Sequence, residues 1–195
     1  MLVFAATSER ANRGPTRIDR AFQLAYVDAH RLMRVYWRIV RPAAHGALVS
    51  RWNQGEILLV RNAYVRDQSL PGGCVRGMET SRETALRELR EEVGIDEQAE
   101  DLELVLDETN QWDAKRDHVA IFSLDVPERP VVAIDHREVV EAGWYSSERT
   151  LSLALFPQVR VIERRTTACR SVASLPSTNW HGVGEWFALA SDALS

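Results

Sequence analysis

The sequence predicts an α/β or α+β layered domain with an added N-terminal helix, on three observations. Apolar residues recur at helical spacing from Arg17 to Val40 and stop before Pro42. Short strand-like runs then alternate with helical ones, the pattern of a layered domain. Finally, the helix predicted at Ser81 to Val93 has both its ends marked. Thr80 with Glu83 forms a capping-box pattern, and Gly94 supplies the stop.

A chain of 195 residues suits one domain, or one domain with an appendage, and can bury most of the surface its unfolded form exposes. The net charge of −4 argues against a general nucleic-acid footprint. Lys115 is the sole lysine, which leaves lysine-based covalent chemistry almost no candidate. Cys74 and Cys169 are far apart and fit no metal spacing, so a reduced compartment is expected, with Cys74 packed as a small apolar residue. Leu2 to Ala6 is too short for a signal-peptide core and no apolar run reaches bilayer length, so a cytoplasmic location is expected.

Taken in order, Met1 to Thr16 reads as a mobile lead-in. In the first helix, Ile18, Phe22, Ala25, Ala29, Leu32, Tyr36 and Val40 form the apolar stripe, and Arg20, Arg31, Arg34, Arg38 and Arg41 carry charge. Such a helix packs on its own domain, makes a homodimer contact, or lies on an anionic membrane surface, the last being the least favoured. A hairpin follows, Gly46 to Arg51 and Glu56 to Arg61, around the turn Trp52-Asn53-Gln54-Gly55. Its run Ile57 to Val60 is that of a strand buried on both faces. Pro71-Gly72-Gly73 reads as a turn leading to a loop that carries Gly77 and Glu79.

Beyond the capped helix, Leu102 to Leu106 and His118 to Val126 read as strands separated by a polar loop, Glu108 to Asp117, that holds Trp112. Pro127 to Ile134 is a connector, Glu138 to Tyr145 another strand, and Ser146-Ser147-Glu148 a helix start. Val159 to Arg165 reads as a helix end, Thr166 to Thr178 as small and polar, and Gly184 to Leu194 as a short amphipathic helix.

Chemistry concentrates on the capped helix. Ala85, Leu86, Leu89 and Val93 form an apolar arc, while Glu88, Glu91 and Glu92 lie within about 100° of one another beside it. Like charges at this spacing destabilise a helix by roughly 0.2–0.5 kcal/mol per pair. Two readings fit: a solvated face offset by Arg87 and Arg90, or an oxygen-ligand site for a hard cation.

The wider pattern decides for the second. Gly73, then Glu79, then Arg87-Glu88-Leu89-Arg90-Glu91-Glu92-Val93-Gly94-Ile95 resembles the Nudix box at every specified position. Two unspecified positions depart from its commonest form. Arg76 stands where an acidic residue is frequent, and Gly77 comes one place early, leaving Met78 beside Glu79. The resemblance covers roughly 44–155 and implies an α/β/α sandwich with a mixed sheet. The corresponding division is 1–42 as lead-in and amphipathic helix, 43–156 as the Nudix domain, and 157–195 as a C-terminal extension.

Resemblance to this family implies a Mg²⁺-dependent pyrophosphohydrolase, with Mn²⁺ as a substitute ion. Its substrate would be a nucleoside diphosphate linked to another group: a nucleoside triphosphate, a nucleotide sugar or an ADP-ribose type. The alternative is a non-catalytic Nudix-fold module that senses a nucleotide. Carried over by position, Glu88, Glu91 and Glu92 are the metal ligands, with Glu79 contributing, and Arg87 and Glu79 tie helix to loop. Glu138, six residues before Trp144, resembles the placement of a general base; Glu91, Asp135, His136 and Glu141 are the other candidates. Trp52, Trp112 and Tyr64 are candidates for base stacking. The downstream signatures of NADH-cleaving, ADP-ribose and dinucleoside polyphosphate enzymes are absent, Asn110 to Trp112 occupying the place of the last.

Overall fold

The computed structural model describes residues 14–112, 115–153, 155, 159 and 162, with side chains left aside at 110–112, 115 and 151. Readings for the first 13 residues and for the segments beyond 162 lie outside the described residues.

The chain runs α1 (Arg17–Val40), β1 (Ala43–Asn53), β2 (Glu56–Asn62), β3 (Gly72–Cys74), α2 (Ser81–Val93), a 3₁₀ turn (Ala99–Asp101), β4 (Glu103–Trp112), β5 (Lys115–Asp125), β6 (Val139–Ser146) and α3 (Ser147–Leu151). Five strands form one sheet in the order β4-β5-β1-β2-β6, and β3 joins it on β1. All pairings are antiparallel except β1 with β5, so the sheet is mixed.

Strand β2 shows why the sheet lies between two cores. Ile57, Leu58, Leu59 and Val60 are all at most 1% exposed. Leu58 and Val60 pack with Ala85, Leu89 and Val93 of α2, whereas Ile57 and Leu59 join Leu106, Ile121 and Leu155 on the other face. Alternate side chains of one strand thus fill opposite layers, as the pleat requires. The apolar arc expected on α2 is the one that is buried.

Three local expectations change. The polar stretch between β4 and β5 is largely ladder, Thr109 pairing with His118 and Asn110 with Asp117. Ladder bonds are made by backbone, and β1 supplies a parallel partner to β5 from Arg116 onward, so side-chain polarity did not end the strand. Pro71-Gly72-Gly73 leads straight into β3, where Gly72 and Gly73 pair with Leu48 and Ala47. Third, α1 docks by a polar face about 100° round the helix from its apolar stripe. Asp19 is buried, and Gln23, Tyr26 and His30 are half-buried, while Ile18, Leu32 and Val40 stand more than half exposed.

Polar and aromatic contacts hold that docked face. Asp19 closes a capping box with Thr16 and pairs with Arg137 at 3.2 Å. The Gln23 side chain donates to the His136 carbonyl at 2.7 Å, and His30 stacks on Tyr64 at 4.7 Å between centroids. No described helix is long and apolar enough to cross a membrane.

Candidate active site

Helix α2 and the loop before it meet along one edge. The capping box forms as expected, Thr80 N–H donating to Glu83 at 2.8 Å, and Gly94 closes the helix in the left-handed conformation at φ 69°. These ends fix the rotation of α2, which buries Ala85 and Leu89 and carries Glu88 and Glu92, one turn apart, to the rim of the core at 7% exposure each.

Arg87 ties helix to loop. Its Nε and Nη2 donate to the two oxygens of Glu79 at 2.8 and 3.0 Å, and Nη2 also reaches the Cys74 carbonyl at 3.1 Å. Nη1 donates to Glu88 at 2.5 Å and to Glu91 at 3.2 Å. Glu79 further accepts from Arg76 N–H and the Thr84 hydroxyl, and this set of donors holds its carboxyl down at about 2. Its geometry is that of a strut. Glu91 is half-exposed and faces Arg76 at 3.5 Å.

Glu92 is in a different position. Its Oε2 accepts the Gly72 N–H at 2.8 Å, and among the described residues no arginine or lysine lies within ion-pair reach. Burial, with the charges of Glu88, Glu138 and Asp135 adding to it, pushes its carboxyl well above the usual range. Across the cleft, Glu138 accepts from the Tyr64 hydroxyl at 3.1 Å and is also pushed up, mainly by burial. Glu88, Glu91, Glu92 and Glu138 line one open cleft of about 620 Å³ together with Tyr26 and Arg137.

Among the described residues no three His, Cys, Asp or Glu side chains stand as a ready-made cage. The reason is visible: Arg87 and Arg76 hold Glu88 and Glu91, and a backbone N–H holds Glu92. The donor set still fits a hard cation. Among the described residues no donor reaches Glu88 Oε2 or Glu92 Oε1, and the cleft carries more negative charge than its arginines offset at Glu92.

The two glycines of β3 separate fold from site. A Cβ on Gly72 would strike the Ala47 carbonyl and Leu48 Cα, at a φ of 150°. On Gly73 it would strike the Glu88 carboxyl, its Cδ at 2.6 Å. Backbone cannot yield, but a glutamate can swing away. Gly72→Ala is therefore expected to lower the melting temperature by several degrees, while Gly73→Ala keeps most stability and loses metal-dependent activity. Thermal melts and turnover on the two variants check this; equal melts would show that β3 tolerates a Cβ at both.

Of the other candidates, Asp135 lines the same cleft, and the rest scatter. Glu141 turns to Arg61 at 2.9 Å and to the Tyr145 hydroxyl, which hold its carboxyl down. His136 adopts a left-handed φ of 62° and offers α1 its carbonyl. Trp52 is 2% exposed in the core, so it is not a stacking surface, and the Trp112 side chain lies outside the described residues. Cys74 is exposed rather than packed. Tyr64 sits at the site as a partner of Glu138; the two are distant in sequence, and no local signal links them.

The NUDIX domain model matches residues 40–165. No curated protein matches the chain. Among solved structures, an Ap4A hydrolase from C. elegans superposes with a TM-score of 0.56 at 20% identity, covering 66% of this chain and 98% of its own. The NUDIX domain of Shewanella oneidensis NrtR, solved with ADP ribose, gives 0.57 at 16%, covering 65% and 88%. A bifunctional NMN adenylyltransferase/ADP ribose pyrophosphatase from Francisella tularensis, solved with AMP and a Mn ion, gives 0.55 at 19%, covering 72% and 48%. Those likenesses establish the fold, and the family model spans more than half the chain, over the same helix and loop that gather the carboxylates. The chain belongs to the Nudix family and is a hydrolase of phosphoric anhydride bonds.

Proposed function

We propose that the protein is a Mg²⁺-dependent pyrophosphohydrolase, able to use Mn²⁺, that cleaves the diphosphate bond of a nucleoside diphosphate joined to another group. Nucleoside triphosphates, nucleotide sugars and ADP-ribose-type compounds make up the substrate class. The observation that carries the reading is the pair of buried carboxylates, Glu88 and Glu92, each keeping an oxygen that no donor among the described residues reaches and facing Glu138 across one cleft.

In this reading Glu88 and Glu92 hold the ion, with Glu91 at the exposed rim and Glu79 acting mainly through Arg87. When bound, the ion supplies charge neutralisation on the diphosphate and Lewis acidity. Arg76 and Arg137 flank the same cleft as cationic partners for the phosphates. Glu138 is the general base. Tyr64 donates to its Oε1, which leaves Oε2 to take the proton of the attacking water. Burial raises its carboxyl and so improves it as a proton acceptor near neutrality.

The test is incubation with Mg²⁺ and a panel of nucleotide sugars, ADP-ribose and nucleoside triphosphates, read by nucleotide or phosphate release. No metal-dependent release from any member would count against the reading. Glu138→Gln should lower turnover at least about a hundredfold, at the low end of what a general base contributes, with Mg²⁺ affinity nearly unchanged. Full activity in this variant would move the base elsewhere and leave the metal assignment standing.

A further inference from the structure

Helix α1 faces two ways, and among the described residues one face is used by its own domain. The outward face carries Ile18, Ala21, Ala25, Leu32, Val35 and Ile39, which with Asp28 between them step strictly by three and four residues. That is the a/d repeat of a two-helix seam. Exposure is 64% at Ile18, 72% at Leu32, 56% at Val35 and 77% at Ile39. The docked residues Asp19, Gln23, Tyr26 and His30 fall on the opposite side of the same helix.

We infer that this outward face is an antiparallel dimer contact with a second copy of the chain. The sizes along the stripe are graded, small in the first half (Ala21, Ala25) and large in the second (Leu32, Val35, Ile39). An antiparallel pair seats Ile39 on Ala21 and Val35 on Ala25 of the second copy, and a two-fold axis repeats both contacts. A parallel pair would instead stack alanine on alanine and place Asp28 against Asp28. In the same register Asp28 faces Leu32 of the second copy close to the axis, where its exposed carboxylate keeps the intrachain pair with Arg31 at 3.1 Å.

A lipid surface fits less well, because Asp28 stands mid-stripe and would enter the acyl region with the apolar side chains. The helix is about 36 Å long, at 1.5 Å per residue, and contributes fewer side chains than a standard interface, so the dimer should dissociate on dilution.

Sedimentation velocity over a wide concentration range is the test. The intact protein should pass from monomer to dimer, and Leu32→Glu with Ile39→Glu should weaken this at least about tenfold. Val131→Glu, at an apolar site 62% exposed and off the helix, should leave it unchanged. For direction, Ala21→Cys and Ile39→Cys chains, both with Cys74 and Cys169 changed to serine, are mixed and oxidised. Disulfides between the two different chains are expected, and self-linking of Ala21→Cys alone would overturn the antiparallel arrangement. A monomer at all concentrations, or a dimer untouched by the Leu32/Ile39 variant, would overturn the contact. A monomer that co-sediments with phosphatidylserine vesicles would replace it by a lipid surface. A monomer whose melting temperature falls sharply in the variant would show the face covered within one chain.

Discussion

Glu92→Gln is expected to raise the melting temperature of the metal-free protein by a few degrees at neutral pH and to lower Mg²⁺-dependent turnover by several orders of magnitude. The two effects have one origin. Glu92 is buried beside Glu88, and Glu138 and Asp135 add further negative charge, so its charged form is disfavoured and its carboxyl is pushed well up. A group whose pKa is higher folded than unfolded contributes stability below the ordinary carboxylate range, and that stability is lost as pH rises through the raised value. The glutamine, which keeps an oxygen to accept from Gly72 N–H, escapes that loss. Its advantage over the native protein should be absent in acid and appear as pH rises. Catalysis moves the other way, since a neutral amide is a poor ligand for a hard cation. Melts across pH in chelator, paired with Mg²⁺ titrations and turnover, make the comparison. Near-normal Mg²⁺-dependent turnover in the variant would remove Glu92 from the metal site.

Glu79→Gln should do the opposite to stability: a melting temperature several degrees lower, together with a rate lower at least about tenfold, the scale of a lost outer-shell partner. The carboxylate takes two bonds from Arg87, one from Arg76 N–H and one from the Thr84 hydroxyl, and an amide oxygen cannot replace both of its oxygens. Arg87 keeps Cys74, Glu88 and Glu91, so the helix survives while the loop loosens. Here the sign of the pH dependence is reversed. Glu79 is held near 2 against an ordinary 4.5, so its contribution is full above 4.5 and fades as pH falls toward about 2. The variant's deficit should therefore be constant at neutral pH and shrink in strong acid. An unchanged melt throughout would mean that the loop is held without Glu79.

What the sequence disclosed of this molecule was whatever one segment encodes for itself. Helix α2 could be placed to the residue because Thr80, Glu83 and Gly94 act within a turn or two of where they stand. The double burial of Ile57 to Val60 was legible for a similar reason: a run apolar at both parities has no wet face. Readings failed where a distant partner decides. Thr109 and Asn110 look like loop residues until β5 is seen running back alongside, itself held by β1 from Arg116. Apolar spacing on α1 left its docked side open, and Asp19, Gln23 and His30 decide it through Arg137, the His136 carbonyl and Tyr64. The carboxylates of the site lie in one short stretch, except Glu138, which sequence could reach only through resemblance.

The stacking of His30 on Tyr64 sets α1 between the cleft and the helix's own outer face. Tyr64 holds Glu138, and Tyr26 of α1 lines the cleft itself, while the far side of the helix is only about 10–12 Å away. A molecule in the cleft would change the free energy of an occupant of the outer face only by displacing α1 through Tyr64 or Tyr26. By linkage, an occupant of that face changes affinity in the cleft by the same factor.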